Sequence, residues 1–253
     1  MAWLDRTAES YLELEPASAD EVARARQAQR ALNESLGGTC FIHCNVSTAL
    51  EFTLFGCHCG LERFSYLWYD DREVVLRWFA AVEQRELRNI ALNADLAVSP
   101  FAMLYSDIAS KGKLMFSRQM LSEMGFFDNV ARLCEAMHGR GLKVVFHSDG
   151  YVMDVIADLV AVGVDGLNPI EKAAGMDVFA VRRRWPELVL VGGVDVTHLL
   201  RSGTPAEVRR ETRRILRGVG ADGRLLIGST TELEENVPLS NYLAFHETVM
   251  KGK

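Results

Sequence analysis

The chain has 253 residues, of which 49% are hydrophobic and 25% are charged, which is typical of a folded domain with a large apolar core. The formal net charge of −6 argues against nucleic-acid binding, and we expect the one dense basic run, residues 209–217, to be a solvated helix face. No run approaches the ~18 consecutive apolar residues that a membrane helix needs. The acidic first twenty residues lack the apolar core of a signal peptide, and five cysteines without a signal predict reduced thiols and a cytoplasmic location.

Short apolar, β-branched runs alternate with segments of helical periodicity along the whole chain. We interpret the runs as strands, which in chain order are residues 39–45, 94–100, 142–150, 164–171, 188–195 and 223–232. Apolar strands that alternate with helices favour a parallel sheet covered on both faces. Because no linker rich in Pro, Ser or Gly interrupts the pattern, we predict one α/β domain over residues 1–253, with residues 1–20 as an N-terminal extension. Eight βα units close a barrel, and six are visible here.

Polar residues gather at the predicted carboxyl ends of these strands, where parallel α/β folds build their active sites. In chain order they are His43, Cys44 and Asn45, then Ser99, then His147, Ser148 and Asp149, then Asn168 and Glu171, then Asp195, and finally Ser229, Thr230 and Glu232. A single residue of this kind is often a helix cap. A ring of polar strand ends indicates an enzyme, and Asp107 in the second βα loop is expected to join it.

The stretch VVFHSDG, residues 144–150, places two strong ligands one residue apart at the end of a buried strand. Because residues i and i+2 of a strand point the same way, His147 and Asp149 can face one centre. They can bind a divalent metal or share a proton as an acid–base pair. A third interpretation is structural, with Asp149 capping a helix that begins near Tyr151.

Other motifs of catalysis or metal binding are weak or absent in the sequence. Cys57 and Cys59 have Cys-x-Cys spacing rather than that of a zinc knuckle, and we do not expect zinc there. Cys134 lies on the apolar face of a predicted helix and is expected in the core. No Gly-x-Gly-x-x-Gly or phosphate-binding loop follows any strand, so a nucleotide cofactor is not supported. No Ser or Cys has the surroundings of a nucleophile elbow.

Three segments resemble the carboxyl-terminal half of the uroporphyrinogen decarboxylase superfamily: HSDGYVMDVIADLVAVGVDGLNPIEKAAGMD, LVLVGGVDVTHLLRSGTPAEVRRETRRIL and GRLLIGSTTELEENVPLSNYLAF. The segment YSDIASKGKLMFSRQML also resembles the family, and the likeness extends over residues 20–246. It implies a TIM-type (β/α) barrel. By this alignment the chain begins just before the family's third strand, so the barrel is expected to be incomplete, with its first two strands missing.

The resemblance also bears on metal binding. In the corrinoid-linked methyltransferase branch, a His-x-Cys pair and a later Cys bind zinc. Here His147 matches the histidine, Asp149 stands at the first cysteine, and Ser229 falls near the second. The resemblance therefore implies either a harder divalent-metal site, with zinc as one candidate, formed by His147, Asp149 and Glu232, or a metal-free acid–base pair.

The superfamily contains tetrapyrrole decarboxylases as well as methyltransferases and demethylases. Since the Arg-containing amino-terminal segment of the decarboxylases has no counterpart here, the resemblance favours methyl transfer between a small methylated substrate and a corrinoid protein, which carries the methyl-corrinoid. The expected catalytic residues are His147, Asp149, Asp107, Glu171 and Asp195. The expected substrate-binding residues are His43, Asn45, Asn168, Ser229, Thr230 and Glu232.

Two alternatives stay open. One is decarboxylation of a tetrapyrrole, and the other is a non-catalytic barrel remnant or subunit. Missing strands leave a sheet edge that proteins usually cover, so we expect a homodimer or a partner chain there.

Overall fold

The computed structural model describes residues 2–37 and 43–251, which form two compact units. The first unit consists of Met1–Ser106, Ser117–Phe146 and Ala157–Val164. The second consists of Asp107–Phe116, His147–Ile156 and Asp165–Lys253.

Helices and strands alternate along the described chain. In order they are α1 (Ala2–Leu12), α2 (Ala19–Ser35), β1 (Cys44–Ser47), α3 (Ala49–Glu51), α4 (Gly60–Asp70), α5 (Arg72–Asn93), β2 (Phe101–Tyr105), β3 (Ala109–Ser110), β4 (Lys113–Leu114), α6 (Arg118–Glu123), α7 (Phe126–His138), β5 (Lys143–His147), α8 (Ile156–Ala161), β6 (Gly166–Asn168), α9 (Val178–Arg184), β7 (Val189–Val194), α10 (Pro205–Val219), β8 (Leu225–Ser229) and α11 (Leu239–Lys251). π-Helical turns cover Phe52–Gly56 and Val196–Leu200, and a 3₁₀ turn covers Lys172–Ala174. This is the predicted α/β pattern.

The first unit builds its core on parallel strands and the long helix α5. Strand β1 runs parallel to β2, from Cys44 opposite Ala102 to Ser47 opposite Tyr105. Helix α5 begins where the Asp71 side chain accepts a hydrogen bond from the Val74 N–H, which satisfies one of the free donors of its first turn. It buries Trp78, Phe79, Ala81 and Val82, and each large apolar side chain removed from water contributes about 1.5–3 kcal/mol.

The second unit contains parallel strands β6, β7 and β8 and the antiparallel hairpin of β3 and β4. Strands β7 and β8 pair from Leu190 opposite Leu225 to Val194 opposite Ser229. Among the described strands of this unit, β8 pairs with β7 alone, and its Leu226 is 42% exposed. Helix α10 begins with a capping box, in which Thr204 and Glu207 bond each other's backbone N–H groups, and Pro205 occupies its first turn. Helix α10 contains residues 209–217, so the prediction that this basic run is helical is confirmed.

The second predicted strand was placed wrongly. Residues 94–100 form a turn, and the strand begins at Phe101. Asp95 organises this turn, because its backbone oxygen accepts from the Val98 and Ser99 N–H groups and its side chain accepts from Ala97. The first predicted strand is displaced as well, since β1 begins at Cys44 and residues 39–42 lie outside the described part of the chain.

The expected N-terminal extension contains helix α1. Its Tyr11 ring stacks on Trp78 of α5 with centroids 5.9 Å apart, so this helix packs on the first unit. Cys134 is buried on α7, as predicted. Within residues 2–37 and 43–251, no helix combines the length and the apolar character needed to cross a bilayer.

Candidate active site

Three side chains of the second unit converge into one group: Asp107, His147 and Asp149. Each offers one nitrogen or oxygen ligand atom, and these atoms lie within 4.8 Å of one another. Asp107 follows β2 by two residues, His147 is the last residue of β5, and Asp149 comes two residues later. The structure thus brings together His147 and Asp149, which the sequence assigned to a carboxyl strand end, and Asp107, which it placed in the second βα loop. We call them the His147 cluster.

A hydrogen bond to Asn168 orients the His147 ring. The Nδ1 atom of His147 lies 2.6 Å from Oδ1 of Asn168, the last residue of β6. A side-chain amide oxygen only accepts, so Nδ1 is the donor in this pair. The other ring nitrogen, Nε2, then points the opposite way and lies 3.9 Å from Oδ1 of Asp107. The ring therefore presents Nε2 to the centre of the cluster as its reactive atom.

Asp149 is held in place by two hydrogen bonds that its backbone makes. Its N–H donates to Oδ1 of Asp107 at 2.8 Å, and its carbonyl oxygen accepts from the buried Ser148 hydroxyl at 2.9 Å. The same hydroxyl oxygen accepts from the Ile108 N–H at 3.2 Å. Ser148 thereby ties the segment after β5 to the segment after β2, which holds Asp107 beside Asp149.

Gly150 completes this turn, and a side chain there would force the neighbouring backbone to shift. Its φ of +89° lies in the region that side chains disfavour, and an added Cβ would lie 2.7 Å from the carbonyl carbon of Ala109. Its N–H donates to Oε2 of Glu171 at 2.9 Å. Glu171 thus contacts the same turn from the segment after β6. The sequence shows a glycine here, but only the structure shows why it is needed, because the Ala109 backbone lies too close to leave room for a side chain.

The His147 cluster is strongly acidic. Burial raises the pKa of Asp149, and the nearby carboxylates of Asp107, Glu171 and Glu232 raise it further, while His147 opposes them. A hydrogen bond from Thr231 lowers the pKa of Glu232, and His147 contributes to that lowering. Apart from His147, every charged group that shifts the pKa of Asp149 is a carboxylate. The cluster therefore favours neutral or cationic ligands.

The predicted site residues at the ends of β7 and β8 have structural partners. Asp195 is buried and caps the turn Val196–Leu200, accepting from the His198 N–H at 3.2 Å. Thr230 is fully buried; its N–H donates to the Val194 carbonyl, and its hydroxyl oxygen accepts from the Val196 N–H. The Ser229 hydroxyl donates to the Thr231 carbonyl. Catalytic or substrate-binding roles for these three residues stay predictions.

Four residues expected at carboxyl strand ends lie elsewhere, and one of them, Cys44, is the first residue of β1. His43 precedes β1 and Asn45 lies within it, so their predicted location was wrong. The His43 ring instead stacks on Phe101 with centroids 5.5 Å apart, and burial lowers its pKa. Ser99 precedes β2, where its hydroxyl donates to the Phe101 carbonyl and accepts from the Phe101 N–H. In all four cases the strand starts later in the chain than the apolar run suggested.

The donor set of the cluster differs from that of the methyltransferase branch. The third member of the cluster is Asp107, and the role of metal ligand for Glu232 stays a prediction. One imidazole and two carboxylates suit a divalent cation that accepts nitrogen and oxygen ligands. No thiolate belongs to the set, so the thiolate-rich zinc centre of the methyltransferase branch does not fit these residues.

Comparison with protein-family models shows to which family the chain belongs. The family model described as uroporphyrinogen decarboxylase (URO-D) matches residues 110–252, more than half of the sequence. The chain belongs to the uroporphyrinogen decarboxylase family. The region matched by the family model includes His147, Asp149, Asn168, Glu171 and Glu232, while Asp107 lies just before it.

The fold is also shared with a solved structure, a methyltransferase from Methanosarcina mazei. The two superpose with a TM-score of 0.66 at 16% sequence identity, over 95% of this chain and 69% of the other. At this identity the likeness establishes the fold, which is the predicted TIM-type α/β architecture. No curated protein sequence matches the chain significantly.

Proposed function

We propose that this member of the URO-D family catalyses methyl transfer between a small methylated substrate and a corrinoid protein. The observation that carries the proposal is the acidic surroundings of His147. A substrate with several carboxylates would be repelled by Asp107, Asp149, Glu171 and Glu232, whereas a methylated amine or a neutral methoxylated compound would not. The fold shared with a methyltransferase supports the same reaction class.

In this proposal His147 supplies a proton to the atom that loses the methyl group. An alkoxide, phenolate or amide anion is a poor leaving group, so protonation during bond cleavage lowers the barrier, typically by a factor of about 10² to 10⁴. Asn168 holds Nδ1, and the proton on Nε2 is then directed at the substrate. The corrinoid of the partner protein supplies the acceptor for the methyl group.

Asp107 and Asp149 orient this proton transfer and balance the charge of the imidazolium. Asp107 lies 3.9 Å from Nε2 of His147, close enough to attract a protonated ring. It also accepts a hydrogen bond from the Asp149 N–H, and this bond fixes the Asp149 backbone. Asn168, Glu171 and Glu232 would contact the substrate around the cluster. Alternatively, a divalent cation held by Asp107, His147 and Asp149 would polarise the atom that loses the methyl group. Metal analysis distinguishes this metal-assisted route from proton transfer by His147.

The test uses the purified chain with free cob(I)alamin as the methyl acceptor and a panel of methoxylated aromatics and methylated amines. Methylation of the corrinoid is followed by its visible absorbance, and the demethylated product by mass spectrometry. We expect turnover with one class of substrate, a loss of at least about 100-fold in His147→Ala, and little change in His198→Ala, whose side chain is exposed. Release of CO₂ from uroporphyrinogen without any methyl transfer would overturn the proposal.

Elemental analysis of the same preparations addresses the metal. A stoichiometric divalent cation in the wild type that is lost in both Asp107→Asn and Asp149→Asn would assign the cluster as a metal site. Retention of the metal in both variants would exclude that assignment. Asp154→Asn is the control, because this exposed carboxylate lies in the same unit.

We further propose that a second copy of the chain or a partner protein covers the open side of β8. This strand pairs with β7 alone among the described strands of its unit and exposes Leu226. Light scattering of the purified chain gives its mass in solution. A monomer that remains active without any partner would contradict this part of the proposal.

A further inference from the structure

A groove with a strongly positive lining lies between α10 and α11 in the second unit. Its volume is about 280 Å³, and its charged and polar lining consists of Arg209, Arg213, Arg217, Glu247, Thr248 and Lys251. We call it the basic groove. It shares no residue with the His147 cluster.

The arginines of α10 divide into two faces with different surroundings. On one face, Arg214 forms a two-pronged ion pair with Glu211, with both N–O distances 2.7 Å, and Arg210 lowers the pKa of Glu207 through its charge. Each of these cations thus has a carboxylate on its own helix. This face behaves as the solvated helix surface that the sequence predicts.

The face that lines the basic groove is not neutralised in this way. Glu247 is its one carboxylate, and it is shared by Arg209 at 3.9 Å and Lys251 at 3.6 Å. Within residues 2–37 and 43–251, Arg213 and Arg217 form no ion pair or hydrogen bond through their side chains. Four cations therefore surround the groove against a single anion, in a chain whose net charge is −6.

The spacing of the arginines suits an anion with more than one charged group. Residues 209, 213 and 217 recur every four positions, so they lie on one side of the helix and rise about 6 Å at each step. Like charges at this spacing repel and destabilise the helix, and a bound anion would relieve the repulsion. Guanidinium groups bind phosphate oxygens in pairs with matching geometry.

We propose that the basic groove binds a small polyanion that carries two or more phosphate groups. A concave site between two helices suits a compact ligand better than a flat membrane surface or a nucleic-acid duplex. The Thr248 hydroxyl is already used, since it donates to the Ala244 carbonyl at 2.6 Å, so the guanidinium groups provide the recognition. A free phosphate chain and the phosphates of a nucleotide both provide this chemistry.

The experiment is calorimetric titration of the full chain with tripolyphosphate at low ionic strength. We expect one site per chain, an affinity that falls as salt is added, and a higher melting temperature with the ligand bound. Loss of a hydrogen-bonded guanidinium should weaken binding about tenfold or more in Arg213→Ala and in Arg217→Ala. Arg210→Ala is the matched control on the neutralised face, and it should change the dissociation constant less than about twofold.

Circular dichroism and thermal unfolding of each variant verify that it is folded. Titrations with ADP and with pyrophosphate identify the source of the phosphates. Equal affinities for the two indicate a free phosphate chain, and a higher affinity for ADP indicates a nucleotide. The proposal is overturned if tripolyphosphate does not bind, if Arg210→Ala weakens binding as much as Arg213→Ala, or if the chain binds anionic lipid vesicles and not tripolyphosphate. None of these measurements depends on methyl transfer.

Discussion

The Nδ1 atom of His147 lies 2.6 Å from Oδ1 of Asn168, and this contact determines which ring nitrogen faces Asp107. Both residues end strands, so their backbones are held by sheet hydrogen bonds rather than by a loop. A ring fixed in this way can direct a proton at one position without reorientation during the reaction.

Asn168→Ala removes the acceptor for Nδ1 and releases the ring. We expect kcat to fall about 10- to 100-fold, the usual effect of losing a partner that orients a functional histidine. KM should rise less than kcat falls, because Asn168 is one of several residues proposed to contact the substrate, whereas its side-chain oxygen is the partner that orients the ring. Steady-state kinetics in the methyl-transfer assay measures both.

Asn168→Asp is the matched variant, since it keeps an oxygen acceptor at the same position. It should recover part of the activity lost in Asn168→Ala. Equal activity in the two variants would show that the contact has no orienting role.

Asp149→Asn should stabilise the protein at neutral pH. Burial raises the pKa of this carboxyl in the folded state, so the folded state binds more protons than the unfolded state as pH rises from about 4. Stability is therefore lost as pH rises through the folded pKa, and the ionised Asp149 is destabilising at pH 7. The amide cannot ionise, so the melting temperature of the variant should exceed that of the wild type at pH 7.

The same reasoning predicts that the gain disappears near pH 3, where Asp149 is protonated in both states. Melting curves of wild type, Asp149→Asn and Asp154→Asn, a control whose carboxylate lies outside the cluster, test this at both pH values. A similar gain at both pH values, or a lower melting temperature at pH 7, would contradict the electrostatic explanation.

Gly150→Ala should be more costly than a simple change at a left-handed glycine. Gly223 has a similar φ, +79°, with no atom within 4 Å of an added Cβ, whereas Gly150 would place its Cβ 2.7 Å from Ala109. We expect Gly223→Ala to lower the free energy of unfolding by about 1 kcal/mol through backbone strain. Gly150→Ala should cost at least about 1 kcal/mol more and should also reduce activity, because the turn that holds Asp149 must move.

Urea denaturation of the two variants gives the difference directly. If the two substitutions were equally destabilising, the close approach of Ala109 would have no energetic consequence.

Arg182 is a buried polar link within the second unit. Its buried guanidinium donates to four backbone carbonyls, those of Pro186, Leu188, Val219 and Arg224, at 2.6–3.3 Å. Lysine cannot match this fork, so Arg182→Lys would leave several of these carbonyls without a donor. We expect a loss of about 3 kcal/mol or more in the free energy of unfolding.

Arg183→Lys is the control for this prediction, because Arg183 is exposed on the same helix. It should change the free energy of unfolding by less than about 0.5 kcal/mol. A comparable loss in both variants would show that the buried contacts of Arg182 are not the cause.

The strand positions show which parts of the fold local sequence patterns predict correctly. Runs that are apolar and end in glycine or a polar residue predicted β5, β6, β7 and β8 within a few residues, because these strands are short and lie between clear helix signals. The pattern failed at residues 94–100, where an apolar run is a turn held by Asp95. Its misplacement also put Ser99 at the wrong end of its strand.

The sequence by itself determined the α/β class, the order of helices and strands, and the place of His147 and Asp149 at the end of β5, because side-chain periodicity and glycine positions are local properties. It did not determine which distant residues meet. That Asp107 joins His147 and Asp149 in one cluster, and that Asn168 orients His147, both depend on contacts between segments far apart in the chain. Such contacts follow from the packing of the folded chain, and only the tertiary structure decided them.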